Sequence, residues 1–460
     1  MCQYSSLSPK QSVLTWDQVR AHNSPKDAWI VIHNKVYDIT NFNAHPGGSV
    51  MYTHAGTDAT DVFAIFHPAH AFQLLKQFYI GEVISIKSSS SESEYDSGVK
   101  RYQKEHQEFV AAYRQLRATV RSLGLYKTSL QYYIWKTTST LAIWFLSVAV
   151  CYLSSGMSGY TLSAAIMGLF YQQSGWLSHD VLHHQVVKHS SVRYYLGAIV
   201  GNVWQGFSVQ WWKTKHNTHH AVPNLHSIHQ EGFSGDPDID TMPLIAWSID
   251  MARKAHASSL GAFLVQYQAF FYFPLILFAR VSWLLQSLLY VFRGFSFGFY
   301  DPSPFPWAEK SGLLAHYAWN FAVMYHCGMT IWQSIAWFFL SQATCGILLA
   351  LVFSIGHNGM AVYERSTQPK FWELQVTTTR NITSSLWCDW FTGGLNYQVD
   401  HHLFPTIPRH NLKKLNHLVK SFCLEYEVPY HETSFYNGIR EVISHLSKIS
   451  LDFVSEFPAM

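Results

Sequence analysis

Residues 173–184 read Gln173-Ser174-Gly175-Trp176-Leu177-Ser178-His179-Asp180-Val181-Leu182-His183-His184, where an apolar run beginning near residue 159 passes directly into histidines. That junction decides the fold, because a segment long enough to cross a bilayer delivers imidazoles to one membrane face. A helical span needs about 20 residues at 1.5 Å each. Two further clusters follow, His216-Asn217-Thr218-His219-His220 and Gln398-Val399-Asp400-His401-His402. Residues i, i+3 and i+4 of a helix share one face. His216, His219 and His220 therefore converge on one point, and His179 and His183 on another. A single histidine is usually a hydrogen-bonded core or surface residue, but three such clusters in one chain reverse that expectation. Imidazole suits iron, copper, nickel and zinc. One structural zinc takes about four ligands, so this many point to more than one metal ion. The six cysteines, at 2, 151, 327, 345, 388 and 423, form no CxxC pair, which argues against iron–sulfur or thiolate–zinc chemistry.

Working outward, the apolar stretches are 137–154 and 159–177 before the clusters, then 263–292, 313–331 and 335–356. If the third cluster joins the first two on one side, an even number of spans separates them. The stretch 263–292 carries Pro274 and Arg280, costly at a bilayer centre, and is expected to lie along the interface. Four transmembrane helices result, in two hairpins. Lys127, Lys136, Arg193, Lys213, Lys215 and Arg293 fall on the cluster side, which the positive-inside tendency makes cytosolic. Both termini and all clustered histidines are expected there.

The composition agrees: 48% hydrophobic, 16% aromatic and only 13% charged residues over 460, the membrane side of the usual range. A net charge of +3 without Lys/Arg runs excludes nucleic acid as a natural partner. The first residues lack the apolar core of a signal peptide, no paired cysteine spacing suggests disulfides, and there is no internal repeat. Residues 86–98, rich in serine, are expected to be a flexible linker. Val99 to Leu125 has helical periodicity and many charges, expected as a surface helix.

A second metal reading comes from the N-terminus. His45-Pro46-Gly47-Gly48 is followed 22 residues on by His67. Two histidines from opposing helix–loop elements are what a low-spin haem needs above and below its plane. Pro46 fixes the backbone beside the first, and Gly47-Gly48 removes side chains where the chain turns close to the porphyrin. The upstream hydrophobic run 28–40 is broken by an expected turn at Asn34-Lys35.

Residues 12–85 resemble cytochrome b5, with two residues between Phe42 and His45 where that family commonly has three. The remainder, 99–460, resembles the front-end fatty acyl desaturases, membrane enzymes with an N-terminal cytochrome b5 domain. The resemblance rests on residues 173–180, Trp211-Trp212-Lys213-Thr214-Lys215-His216-Asn217-Thr218-His219-His220, Asp236-Pro237-Asp238-Ile239-Asp240-Thr241, His357-Asn358-Gly359-Met360 and residues 391–405. Gln398 stands where other membrane desaturases have the first histidine of their third box, the mark of the front-end group. Two departures are Val399-Asp400 in place of Ile-Glu and a longer link over 226–235.

The resemblance implies an α-helical multi-pass membrane protein with a small α+β cytochrome b5 domain and a cytosolic di-iron site. The implied ligands are His179, His183, His216, His219, His220, His401 and His402. His357 is an eighth candidate, Gln398 a weak or water-bridged ligand, and His184 a competitor of His183. Asp180, Asp238 and Asp400 are expected to orient imidazoles. It further implies haem b held by His45 and His67, two non-haem irons, O2 as co-substrate, and NADH-cytochrome b5 reductase as electron source. The substrate would be a fatty acyl lipid or acyl-CoA, in the endoplasmic reticulum membrane. The implied reaction inserts a cis double bond between an existing one and the carboxyl end, foremost at Δ6 (linoleate and α-linolenate to γ-linolenate and stearidonate). Δ5 or Δ8 acyl desaturases and sphingolipid long-chain-base Δ8 desaturases share all the boxes, and a hydroxylase shares the oxidant. A membrane-anchored haem electron carrier would explain residues 12–85 and leave the three clusters without purpose.

Overall fold

The computed structural model describes residues 12–42, 44–67, 70–83, 94–226, 235–296, 298, 300–365 and 369–458, with only the helical backbone of 94–107. Two compact units divide at Glu108/Phe109.

In the N-terminal unit, strands β1 (Ser12–Leu14), β2 (Asn23–Ser24), β3 (Asp27–Ile32), β4 (Lys35–Asp38) and β5 (Tyr79–Val83) form one sheet in the order β1-β5-β4-β3-β2. Only β1–β5 is parallel. The two-residue alternation of β3 sends Ala28, Ile30 and Ile32 into one cluster, and Val31 into another with Val19, Val36 and Val83. The turn falls at His33-Asn34, one residue before the expected place. Both have positive φ (51° and 62°), as a two-residue hairpin whose twist matches its strands requires. Helix α1 (Trp16–Ala21) starts on a Thr15–Gln18 capping box. Helices α2 (Thr60–Phe66) and α3 (Ala71–Leu74) follow.

Helix α4 (Glu94–Ser122) takes in the end of the stretch expected as linker; residues 84–93 lie outside the described residues. Phe109, on α4, packs on Trp372, Phe422 and Tyr426. Helices α5 (Leu130–Leu153) and α6 (Met157–Leu182) form a hairpin, and α7 (Ser190–Gly197) runs into a π-helical stretch, Ala198–Gln205. Then come α8 (Val209–Ala221), α9 (Ile249–Ala255), α10 (Ser259–Gln266), α11 (Gln268–Ile276), α12 (Ala279–Arg293), α13 (Pro306–His326) and α14 (Ile331–His357). Five shorter or surface helices close the chain: α15 (Phe371–Thr377), α16 (Leu386–Phe391), α17 (Gln398–Leu403), α18 (Leu412–Glu425) and α19 (Phe435–Glu456).

Helix α6 is the axis of this unit, packed between α5 and α14. Its approach to α14 depends on Gly168, where a Cβ would come within 2.6 Å of Thr344, the small-residue contact of helices in lipid. On the outer face α5 exposes Trp135, Phe145, Leu146, Tyr152 and Leu153, apolar surface that suits acyl chains rather than water.

The count of four apolar spans is met only in part. Helices occupy all four expected positions, but among the described residues only α5 and α14 are long and apolar enough to cross a bilayer, or three spans if α10 and α11, bent by 93°, count as one. Helix α6 falls short because its last turns carry Gln172, Gln173, Ser178, His179 and Asp180, all buried inside the protein. Helix α13 carries Glu309, His316 and Asn320, also buried. Nor is 263–292 one interfacial element: it breaks into α10, α11 and α12. Arg280 within it is fully buried and donates through Nη2 to the Gln205 carbonyl, so the protein, not a membrane surface, accommodates it.

Candidate metal centre

In the N-terminal unit His45 sits in the loop after β4, and His67 is the C-terminal cap of α2. Each Nδ1–H donates to a backbone carbonyl, His45 to Gly48 (2.9 Å) and His67 to Phe63 (3.0 Å). Those bonds set the tautomer and leave both Nε2 lone pairs as ligand atoms. The two Nε2 atoms face each other at 3.4 Å. Phe63 stacks on His67 with ring centres 4.1 Å apart. A Cβ at Gly47 would lie 2.8 Å from the His45 ring, so only glycine lets the turn pass there. Burial, chiefly, lowers His67 to about 4, keeping it a neutral donor.

In the second unit four helix ends meet. The last turn and cap of α6 supply His179 and His183; the second half of α8 supplies His216, His219 and His220. The final residue of α14 is His357, and α17 brings Gln398, His401 and His402. Nε2 atoms of His183 and His216 are 2.7 Å apart, His216 and His220 3.1 Å, His220 and His401 3.0 Å, His401 and His179 3.2 Å. These five rings offer ligand atoms all within 4.8 Å of one another. His219, His357 and His402 make a second such group, with His219 and His357 Nε2 atoms 3.2 Å apart. The rings of His220 and His402, one from each group, stack at 4.2 Å. Gln398 Nε2 lies 2.6 Å from His357 Nε2, at the edge of the second group. His184 joins neither group: it is exposed, at φ 63°, just beyond the helix, and the position beside His179 belongs to His183.

The donor set fits a metal. His402 donates from Nδ1 to Gln375 Oε1 (2.8 Å), and its buried Nε2 has no hydrogen-bond partner among the described residues. Burial first, then neighbouring imidazoles, hold His183, His216, His220, His401 and His402 well below the usual histidine range. That favours the neutral form, the one that binds a cation. Where two such nitrogens meet as lone pairs, a cation between them removes the repulsion. Burial also works against charge on His219, but Asp236 and Asp238 outweigh it and push it up to about 9.

Supporting residues differ in part from expectation. Asp236, rather than Asp238, holds His219: its Oδ2 accepts from Nδ1 at 2.8 Å, against 3.6 Å for Asp238. Asp180 stands 3.5 Å from His179 Nδ1 and is paired with Arg409, which also donates to the Trp176 carbonyl. Asp400 orients no imidazole. It accepts from Asn381 (2.6 Å) and Asn416 (3.0 Å), joining α17 to α18, and burial raises it to about 7. Gln375 and Arg409 lie outside every histidine cluster, and no spacing signal in the chain marks them. Beside His179 lies a narrow cavity of about 10 Å³, walled mainly by Trp176, Phe207, Trp212, Trp283, Leu349 and Phe353. These apolar walls meet the nitrogen-lined site at His179.

A family model described as "Fatty acid desaturase" matches residues 155–434, and one described as "Cytochrome b5-like Heme/Steroid binding domain" matches residues 15–84. The chain is 39% identical over 442 residues to an "Acyl-lipid (9-3)-desaturase" of Physcomitrium patens, covering 96% of this chain and 79% of that one. It is 33% identical over 423 residues to the "Delta(6)-fatty-acid desaturase fat-3" of Caenorhabditis elegans (88% and 92%). A "Delta(8)-fatty-acid desaturase" of Euglena gracilis is 32% identical over 424 residues (90% and 93%).

Proposed function

The chain belongs to the fatty acid desaturase family and carries a fused cytochrome b5-like haem-binding domain, and from that premise we propose the roles of its parts. It is a membrane-associated oxidoreductase, a front-end desaturase acting on unsaturated fatty acyl chains. The observation that carries the assignment of its centre is the meeting of five and three imidazoles beside an apolar cavity.

Two non-haem irons would be held, one by His179, His183, His216, His220 and His401, the other by His219, His357 and His402, with Gln398 beside the second as a further candidate ligand. Iron bound by nitrogen supplies, with O2, an oxidant strong enough to take hydrogen from unactivated methylenes. The protein's own part is positional. Asp236, Gln375 and the Asp180–Arg409 pair fix ring orientation, and Trp176, Trp212, Trp283 and Phe353 hold the acyl chain against His179 away from water. His45 and His67 would hold haem b, the chemistry of which is one-electron transfer, with NADH-cytochrome b5 reductase as the source. The tether keeps the donor's effective concentration high.

We place the metal centre and both termini on the cytosolic face of the endoplasmic reticulum, with α5–α6 and α13–α14 as membrane hairpins. The positive residues near the clusters support that orientation. The regiochemistry we put first is Δ6. The relatives' names spread over (9-3), Δ6 and Δ8 at similar identity, which supports front-end insertion as a class more strongly than any single position, so Δ8 and Δ5 stand as the second reading. The test is lipid analysis of a host expressing the chain and fed linoleate or α-linolenate. γ-Linolenate and stearidonate are expected; product only from 20-carbon chains, with the new bond at C8 or C5, would replace Δ6.

A further inference from the structure

The cavity beside His179 has one wall that hydrocarbon does not call for. Gln205, the last residue of the π-helical stretch, is fully buried and lines this cavity. Its Nε2 donates to the Tyr171 carbonyl at 2.9 Å, while Oε1 has no hydrogen-bond partner among the described residues. Its backbone is held separately, the carbonyl accepting from Arg280. Gly175 packs directly on this amide: a Cβ there would lie 3.1 Å from Gln205 Nε2. Gly175 is one turn, about 6 Å along α6, before His179. A buried amide oxygen without a partner among the described residues therefore belongs to a side chain that lines the cavity, a short way from the candidate metal centre.

We propose that the Gln205 carboxamide is a specificity-determining contact that reads the cis double bond already present in the acyl chain, an inference resting on the front-end reading above. A buried amide oxygen packed against methylenes forfeits its hydrogen bonding. Vinylic C–H groups, more polar than methylene C–H, can face Oε1, and the π bond can accept from the amide N–H. A saturated chain offers neither and is penalised by the same group that accepts the unsaturated one. The offset from His179 sets this contact a few carbons beyond the bond being made, where a front-end substrate carries its existing double bond.

The test is a ratio. Cells expressing the full chain are fed equal linoleate and stearate, and front-end product from each is quantified. Gln205→Met, similar in shape without the amide, should lower the linoleate-to-stearate ratio about fivefold. Gly175→Ala, which crowds the amide directly, should move it the same way. Where a variant makes no product, the ratio is read anaerobically, from displacement of labelled linoleate on the solubilised holoenzyme by unlabelled linoleate or stearate. An unchanged ratio in both variants overturns the proposal and leaves Gln205 as a structural tie between the π-helical stretch and α6. Wild-type product whose new bond lies on the methyl side of the old one sinks the front-end reading itself; double-bond position tells the two failures apart, and displacement still decides for or against Gln205.

Discussion

His402 shows what one second partner contributes to a ligand. Its Nδ1 donates to Gln375, whose own Nε2 donates to the His220 carbonyl at 3.2 Å. One buried amide thus sets the orientation of a ring in the second group and braces the helix carrying the first. Such partners typically tune metal affinity by 10–100-fold. Gln375→Ala is expected to lower non-haem iron occupancy by about that factor at limiting iron, while the haem spectrum is unchanged; iron titration with optical readout measures both. Full iron retention would make Gln375 a packing residue only. At this scale the sequence was legible in residue type and helix placement, as in His216, His219 and His220 on one helix, but the expected convergence of those three on one point fails: His216 and His220 join His179 and His183, and His219 turns to the second group. It was silent about Gln375 and Arg409, because a partner 27 or 229 residues distant leaves no periodicity. Asp400 misled for the converse reason: adjacency to His401 in the chain turns a side chain away from its neighbour as readily as towards it.

Among the elements, α8 carries three of the candidate ligands and is anchored at its start. Glu309 on α13, fully buried, accepts from the Gln210 backbone N–H (2.9 Å) and from Asn202 Nδ2 (2.9 Å). A carboxylate there satisfies an orphan N–H of the first helical turn and complements the helix dipole. Glu309→Ala strands two buried donors, and about 2–4 kcal/mol of stability should be lost. The expected signs are a lower thermal midpoint of the membrane unit and loss of non-haem iron. Glu309→Gln keeps an acceptor and should lie between. An Ala variant as stable as wild type would refute the anchoring role. Helix positions were readable from apolar runs, but helix environments were not. Hydropathy assigns Arg280 a cost in lipid, whereas packing buries it against the Gln205 carbonyl. It treats α6 as a plain span, whereas the polar end of α6 is enclosed by α14 and α17.

For the whole molecule, two candidate metal systems occur in one chain, and their separate removal tests the proposal. His45→Ala or His67→Ala should abolish the bis-histidine haem spectrum, and desaturation should fall several-fold even with free cytochrome b5 present, because tethering raises donor concentration. Chelation of non-haem iron, about two per chain, should eliminate product while the haem spectrum persists. A normal haem spectrum in the double variant, or activity without non-haem iron, would contradict the assignments. From the sequence alone follow the two-part organisation, the metal-binding character and the family resemblance, since each rests on residue identity at short range. Tertiary structure alone decided that His183 rather than His184 faces the centre, that eight imidazoles divide into five and three, and that Gln205 borders the cavity. Those outcomes depend on where distant helix ends meet. Packing of whole surfaces determines that meeting, and no local pattern encodes it.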